Sequence, residues 1–207
     1  VEEIEINFQA MDLAKAFLIL IACHTSQLLE ELRVLKGKKY KNSELENTTR
    51  MLDYVGKSFS GYDYALARHT LQVISRRVVE QIEDYDVVLL PVTSQPPTSI
   101  GSLRPKFTDE FLNSIVMALK LGWIFRVPMI RDAILQKLAP ENLWYSPDTL
   151  LQNATGQPAI NVPSYWTDKG LPLGTQFVSK IGDEATLIGL SSQIEEIASW
   201  KHRIPTL

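Results

Sequence analysis

Residues 153–205, NATGQPAINVPSYWTDKGLPLGTQFVSKIGDEATLIGLSSQIEEIASWKHRIP, constrain the fold more than any other stretch. They read as strand, turn, strand and helix. Residues 159–163 are a short apolar run between Pro158 and Pro163, the length of a buried strand. Asp168, Lys169 and Gly170 supply turn chemistry, because glycine accepts the positive φ that closes such a bend. Residues 173–179 alternate as a strand with two distinct faces does. Asp183 then stands just ahead of Leu187, Leu190, Ile194 and Ile197, whose three- and four-residue spacing predicts a helix.

At 207 residues the chain can bury one substantial core. A formal charge of -3 and a pI near 5.7 give no electrostatic reason for nucleic acid or an anionic membrane as partner. The most apolar run, residues 16–23, falls short of the roughly 20 residues a membrane span needs, and a core helix is the better reading. Cys23 is the single cysteine, so no intrachain disulfide can form and a reducing, cytoplasmic setting fits.

Along the chain, the β-branched character of Val1, Ile4 and Ile6 favours an opening strand. Asp12 is a candidate cap for a helix with Leu13, Phe17, Leu20, Ile21, His24, Leu28 and Leu32 near one face. Gly37 marks its end. Ser43 is a candidate cap for a second helix, and Ser60 with Asp63 resembles a capping box opening a third. Ala65, Leu66, His69, Val73, Arg76 and Ile82 continue the third. Residues 86–90 form a compact apolar run ending at Pro91, a buried strand expected to be parallel, which leads into a proline-stiffened loop. Thr108 caps a fourth helical region with Phe111, Ile115, Ala118 and Leu119 as its stripe, and residues 131–138 suggest a short further helix. Helices between strands indicate an α/β layered fold.

Tests for chemistry in the residues come out negative. His24, His69 and His202 lie far apart, and no His or Cys pair has ligand spacing, so no metal is expected. Cys23 and His24 are adjacent on a predicted helix and point about 100° apart, which suits packing better than catalysis. No phosphate-binding glycine loop and no G-x-S-x-G elbow occurs. No cofactor is implied.

The opening stretch nevertheless resembles the C-terminal part of the amidase signature family. The resemblance is carried by Asn153-Ala154-Thr155-Gly156-Gln157-Pro158-Ala159 and by Gly170-Leu171-Pro172-Leu173-Gly174-Thr175-Gln176-Phe177-Val178. Tyr85-Asp86-Val87-Val88-Leu89-Leu90-Pro91 and the closing Trp200-Lys201-His202-Arg203-Ile204-Pro205 also match. It implies that residues 1–207 are the C-terminal portion of a single amidase domain, part of an α/β/α sandwich with a mixed sheet flanked by helices. Members use a Ser–Ser–Lys triad, in which a lysine activates a nucleophilic serine through a bridging serine and backbone N–H groups hold the oxyanion. Their Gly/Ser-rich signature and lysine segment have no counterpart here. The triad is therefore expected in a missing N-terminal portion, with no catalytic residue in this chain and no activity for the chain alone.

By the same resemblance Tyr145, Ser146 and Thr149 fall on the substrate side, although ordinary turn packing explains Tyr145 and Thr149 equally well. Ser146 stands where glutamine-using relatives place an acid, which argues against a transamidation subunit. Asn153 and Thr155 are expected to bond local backbone at the turn into the strand, with Gly156, Pro158, Gly174 and Gln176 as structural members of the motif. The partners implied are a small-molecule amide and the missing N-terminal portion. A homodimer formed through exposed core faces is also expected. A non-catalytic binding or structural domain derived from the fold is the alternative.

Overall fold

The computed structural model describes residues 1–38, 40–102, 121–143, 145–146 and 148–203. The helix anticipated over residues 108–119 lies outside them, as do Trp144, Ile204 and Pro205. The elements in order are α1 (Ala10–Lys36), α2 (Asn47–Gly56), α3 (Gly61–Ile82), β1 (Val87–Pro91), α4 (Pro128–Leu143), α5 (Thr149–Thr155), β2 (Ala159–Trp166), β3 (Pro172–Ser179) and α6 (Glu184–Ile197). Contacts divide the chain into two compact units. One comprises Val1–Phe8, Gln72–Ser99 and the described residues from Asn142 onward; the other comprises Gln9–Leu71 and the described residues between Ile100 and Glu141.

The first unit is built on β3, which lies between β1 and β2 in a three-stranded sheet. Both pairings are antiparallel, with Phe177 opposite Leu89 on one side and Ile160 on the other. The parallel orientation expected of β1 is thus corrected, and among the described strands the sheet is antiparallel, not mixed. The burial expected of β1 is corrected as well: Val88 is buried but Leu89 is exposed, because among the described strands β1 pairs only with β3 and an apolar run by itself fixes neither direction nor cover. Gly170, at φ 74, closes the bend between β2 and β3, and its N–H donates to the Thr167 carbonyl at 2.8 Å.

Consecutive strand residues face opposite sides, so Gln176 and Phe177 reach different layers. Phe177 clusters with Val162 and with Leu187 of α6, and Leu190 and Ile194 pack against them. Gln176 bonds Gln152 of α5. α6 therefore covers one face of β3, and on the other face Gln176 ties the strand to α5. The α6 start is capped as expected: Asp183 Oδ1 accepts from the Thr186 N–H at 3.4 Å and from its hydroxyl at 2.8 Å. Ile197, at the last position of α6, is exposed, contrary to its place in the predicted stripe.

No strand forms at residues 1–9. The side chain of Gln81 takes the place of a ladder partner, accepting from the Asn7 N–H at 2.8 Å and donating to the Asn7 carbonyl at 3.0 Å. Strand propensity without a neighbouring strand leaves backbone groups to find other partners.

In the second unit α1 begins two residues before Asp12, with Gln9 at the N-cap, so Asp12 acts through the first-turn dipole instead of capping. Likewise Ser43 lies in a 3-10 turn, Asn42–Glu44, and α2 starts after Glu46. The buried side of α1 is Leu13, Ala14, Ala16, Ala22 and Ser26, while Ile21, Leu28 and Leu32 of the predicted stripe are exposed. Close approach to α2 selects this face. A Cβ on Gly56 would stand 2.1 Å from the Ala22 carbonyl oxygen, and the Ser26 hydroxyl donates to the Asp53 carbonyl at 2.9 Å. In α3 the buried positions recur at spacings of three and four. Ala67, Leu71, Ile74, Val78 and Ile82 are buried, whereas Leu66 is exposed.

The Ser60–Asp63 capping box is present, with the Ser60 N–H donating to Asp63 Oδ2 at 2.8 Å and the Asp63 N–H to Ser60 Oγ at 3.1 Å. Arg131 of α4 donates to the same carboxylate at 3.1 Å and lies 4.9 Å from the Phe59 ring centre. Burial pushes the Asp63 carboxyl up, but the Ser60 backbone and hydroxyl donors and the Arg131 charge outweigh it and hold the group below the ordinary carboxylate range.

Two outcomes follow for this unit. Gly56→Ala lowers unfolding free energy by about 1–3 kcal/mol in urea titration, because the helices must separate to admit the methyl. The Asp63 contribution to stability is full above its unfolded pKa, about 3.9, and is lost as pH falls through the depressed folded value. Thermal melts of Asp63→Asn are therefore less pH-dependent on the acid side than those of the unaltered chain.

Candidate functional site

Tyr145, Ser146 and Thr149 lead into α5. The loop that follows β1 is tied to them, since the Ser94 N–H donates to the Tyr145 carbonyl at 2.9 Å and the Ser94 hydroxyl reaches the same oxygen at 3.4 Å. Thr149 Oγ1 donates to the Ser146 carbonyl at 3.3 Å, which folds the segment back on itself. Tyr145, Ser146 and Thr149 are all half-buried. The structure thus brings the three residues and the β1 loop into one neighbourhood within the first unit.

Asn153 lies inside α5, not at a turn, and its amide donates to the Thr149 carbonyl at 3.1 Å. Thr155 ends the helix, and its hydroxyl accepts from the Gln157 N–H at 3.3 Å, the local backbone bond expected of it. Gly156 adopts φ 73 as the left-handed C-cap, and its N–H donates to the Gln152 carbonyl at 2.9 Å. The Pro158 carbonyl accepts from the Ser179 N–H at 3.2 Å. Gly174 leaves room for Asn161, whose Oδ1 would stand 2.1 Å from a Cβ at that position.

Beneath this turn runs a set of buried amides: Gln176, expected as a structural member of the motif, together with Gln152 and Gln157, whose burial the sequence did not suggest. Gln176 Nε2 donates to Gln152 Oε1 at 2.9 Å, and Gln157 Nε2 donates to the Ser179 carbonyl at 3.1 Å. All three glutamines are more than nine-tenths buried. Paired amides of this kind fix the relation of helix to strand, because separating them strands a polar group out of water. Asp148, one residue ahead of α5, is half-buried, and that burial pushes its carboxyl above the usual carboxylate range.

The geometry offers shape and hydrogen-bonding groups, but among the described residues no nucleophile–base pair emerges. Cys23 Sγ donates to the Gly56 carbonyl at 3.8 Å, and burial, followed by the negative charge of Asp63, pushes its thiol up and away from the reactive thiolate. His24 Nε2 meets Tyr64 OH at 3.3 Å. Ser191, in α6, donates to the Leu187 carbonyl at 2.7 Å. Among the described residues no group of three or more His, Cys, Asp or Glu side chains could hold a metal ion.

With this geometry in view, similarity to known proteins is informative. No protein-family model matches the chain. A Mycobacterium tuberculosis protein carrying the amidase name AmiB2 is 32% identical over 163 residues, which are 79% of this chain and 29% of that protein. The fatty acid amide hydrolase of Arabidopsis thaliana is 27% identical over 76% of this chain and 22% of its own length. Among solved structures, 6-aminohexanoate cyclic dimer hydrolase superposes with a TM-score of 0.68 over 91% of this chain and 35% of that one, at 21% identity. A bacterial aryl acylamidase of the amidase signature family gives 0.62 over 96% and 36%, at 16% identity, a likeness of fold. The chain belongs with the amidase signature family. It spans less than a third of the length of the curated relatives it matches.

The buried amides yield a test. Gln176→Leu strands Gln152 and lowers stability by about 1–3 kcal/mol, while Gln152→Leu combined with Gln176→Leu recovers most of the loss. Urea unfolding of the two single variants and the double variant reads the coupling directly.

Proposed function

We propose that this chain is the C-terminal portion of a carboxamide hydrolase. In this reading it contributes sheet scaffold and part of the substrate pocket, and the Ser–Ser–Lys triad lies in polypeptide beyond these residues. The observation that carries the reading is the match to relatives named as amidases over 79% of the chain but only 29% of theirs. The absence of a Gly/Ser-rich signature from the sequence agrees with it.

Tyr145, Ser146 and Thr149 then stand on the wall facing a small amide, with the loop at Ser94 beside them. A nucleophilic serine needs both a base and preorganised oxyanion donors, and supplying the wall without those groups gives no turnover. The parent enzyme works in the cytoplasm on this reading.

The test pairs the 207-residue chain with the upstream part of its parent. Alone it is expected to hydrolyse no aliphatic or aryl amide above background; joined to a segment bearing the lysine and serines, it is expected to turn them over. Hydrolysis by the isolated chain, abolished by changing one of its own serines, overturns the reading. An inactive joined protein that still binds amides favours a non-catalytic binding domain instead. Co-purification with other subunits would point to a transamidation complex.

A further inference from the structure

The face by which α1 packs on α2 uses Ala22, Ser26 and Gly56, and it leaves a second apolar stripe on the same helix. Leu18, Ile21, Thr25, Leu28, Leu32 and Leu35 follow one another at alternating spacings of three and four. This is the a/d repeat of a helix seam, sustained over the C-terminal two-thirds of α1. Ile21, Leu28, Leu32 and Leu35 are 45%, 51%, 37% and 82% exposed. A second stripe of this length is more than the packing among the described residues uses.

We propose that the stripe pairs with the same stripe of a second copy, the two α1 helices running parallel and in register about a two-fold axis. Charge decides both the partner and the direction. The helix carries Asp12, Glu30 and Glu31 against Lys15, Arg33 and Lys36, a net charge of zero, so it has no basic face to draw it to an anionic bilayer. That holds even though α1 is long and apolar enough to cross a membrane. With Leu18 at a and Ile21 at d, Glu31 falls at g and Lys36 at e, five residues on. In a parallel pair each Glu31 faces the Lys36 of the second copy, and both flanks attract. An antiparallel pair would instead set Lys15 against the second copy's Lys36. Lys36 already bonds Glu44 at 2.6 Å, and its ammonium retains further donors for a second carboxylate.

Sedimentation equilibrium of the 207-residue chain over a hundred-fold concentration range is expected to show reversible monomer–dimer exchange. Leu28→Glu with Leu32→Glu, both exposed and so tolerated by the fold, abolishes it; circular dichroism checks that helix content is unchanged. Glu31→Lys weakens the dimer by roughly tenfold, as two attractive flanks become repulsive. With Cys23→Ala as background, Leu35→Cys is expected to give a disulfide-linked dimer on mild oxidation. A monomer at every concentration overturns the proposal, as does a dimer indifferent to Leu28→Glu and Leu32→Glu. Cross-linking of Leu18→Cys to Leu35→Cys in mixed samples, without a Leu35→Cys homodimer, overturns the parallel direction. Association with neutral or anionic vesicles in place of dimerisation would assign the stripe to lipid and overturn the proposal.

Discussion

β3 is held on four sides. Its two edges are hydrogen-bonded to β1 and β2, and its faces meet apolar side chains of α6 on one side and the amide of Gln152 on the other. Such a strand cannot slip by one residue, because a slip would turn Phe177 toward the amides and Gln176 toward the apolar cluster. The register of both neighbouring strands therefore follows from the position of β3. So does the position of α5, and with it that of Tyr145, Ser146 and Thr149 at the start of that helix. The candidate wall is a consequence of strand register.

The parts of this arrangement legible in sequence are those set by local chemistry. The β2–β3 bend announces itself through Gly170, the start of α6 through Asp183, and the start of α3 through Ser60 and Asp63. Each of these is a bond between residues at most a few positions apart. What stayed hidden depends on partners distant in the chain. The direction of β1 is decided by β3, just over ninety positions away by the register pairing of Val87 with Ser179. The inward face of α1 beside α2 is decided by Gly56, so Ala22 and Ser26 are buried there while Leu28, Leu32 and Leu35 are left outside. Apolar periodicity identifies a helix well, but the face chosen depends on how closely a neighbour approaches. α5 escaped notice because a seven-residue helix is too short to display a period.

For the site, the motif Asn153–Pro158 was readable as a family resemblance, and its internal bonds prove largely structural: a helix end, a left-handed glycine and a carbonyl for the sheet. The buried glutamines beneath it give no pattern in sequence, since glutamine is ordinarily a surface residue. Only the fold reveals that Gln152, Gln157 and Gln176 are enclosed. The candidate wall residues and the buried amides are thus interleaved along a few positions. A substitution here can alter shape at the wall through the amides below it without touching the wall.

The clamp between Gln81 and Asn7 works through the Asn7 backbone N–H and carbonyl, not through its side chain. Such a grip is blind to side-chain identity. The leading segment can drift in sequence over evolutionary time while following the same path along α3, provided that residue 7 is not proline and position 81 keeps its carboxamide. Comparison of distant sequences would then find conservation on the gripping residue and almost none on the residue it grips.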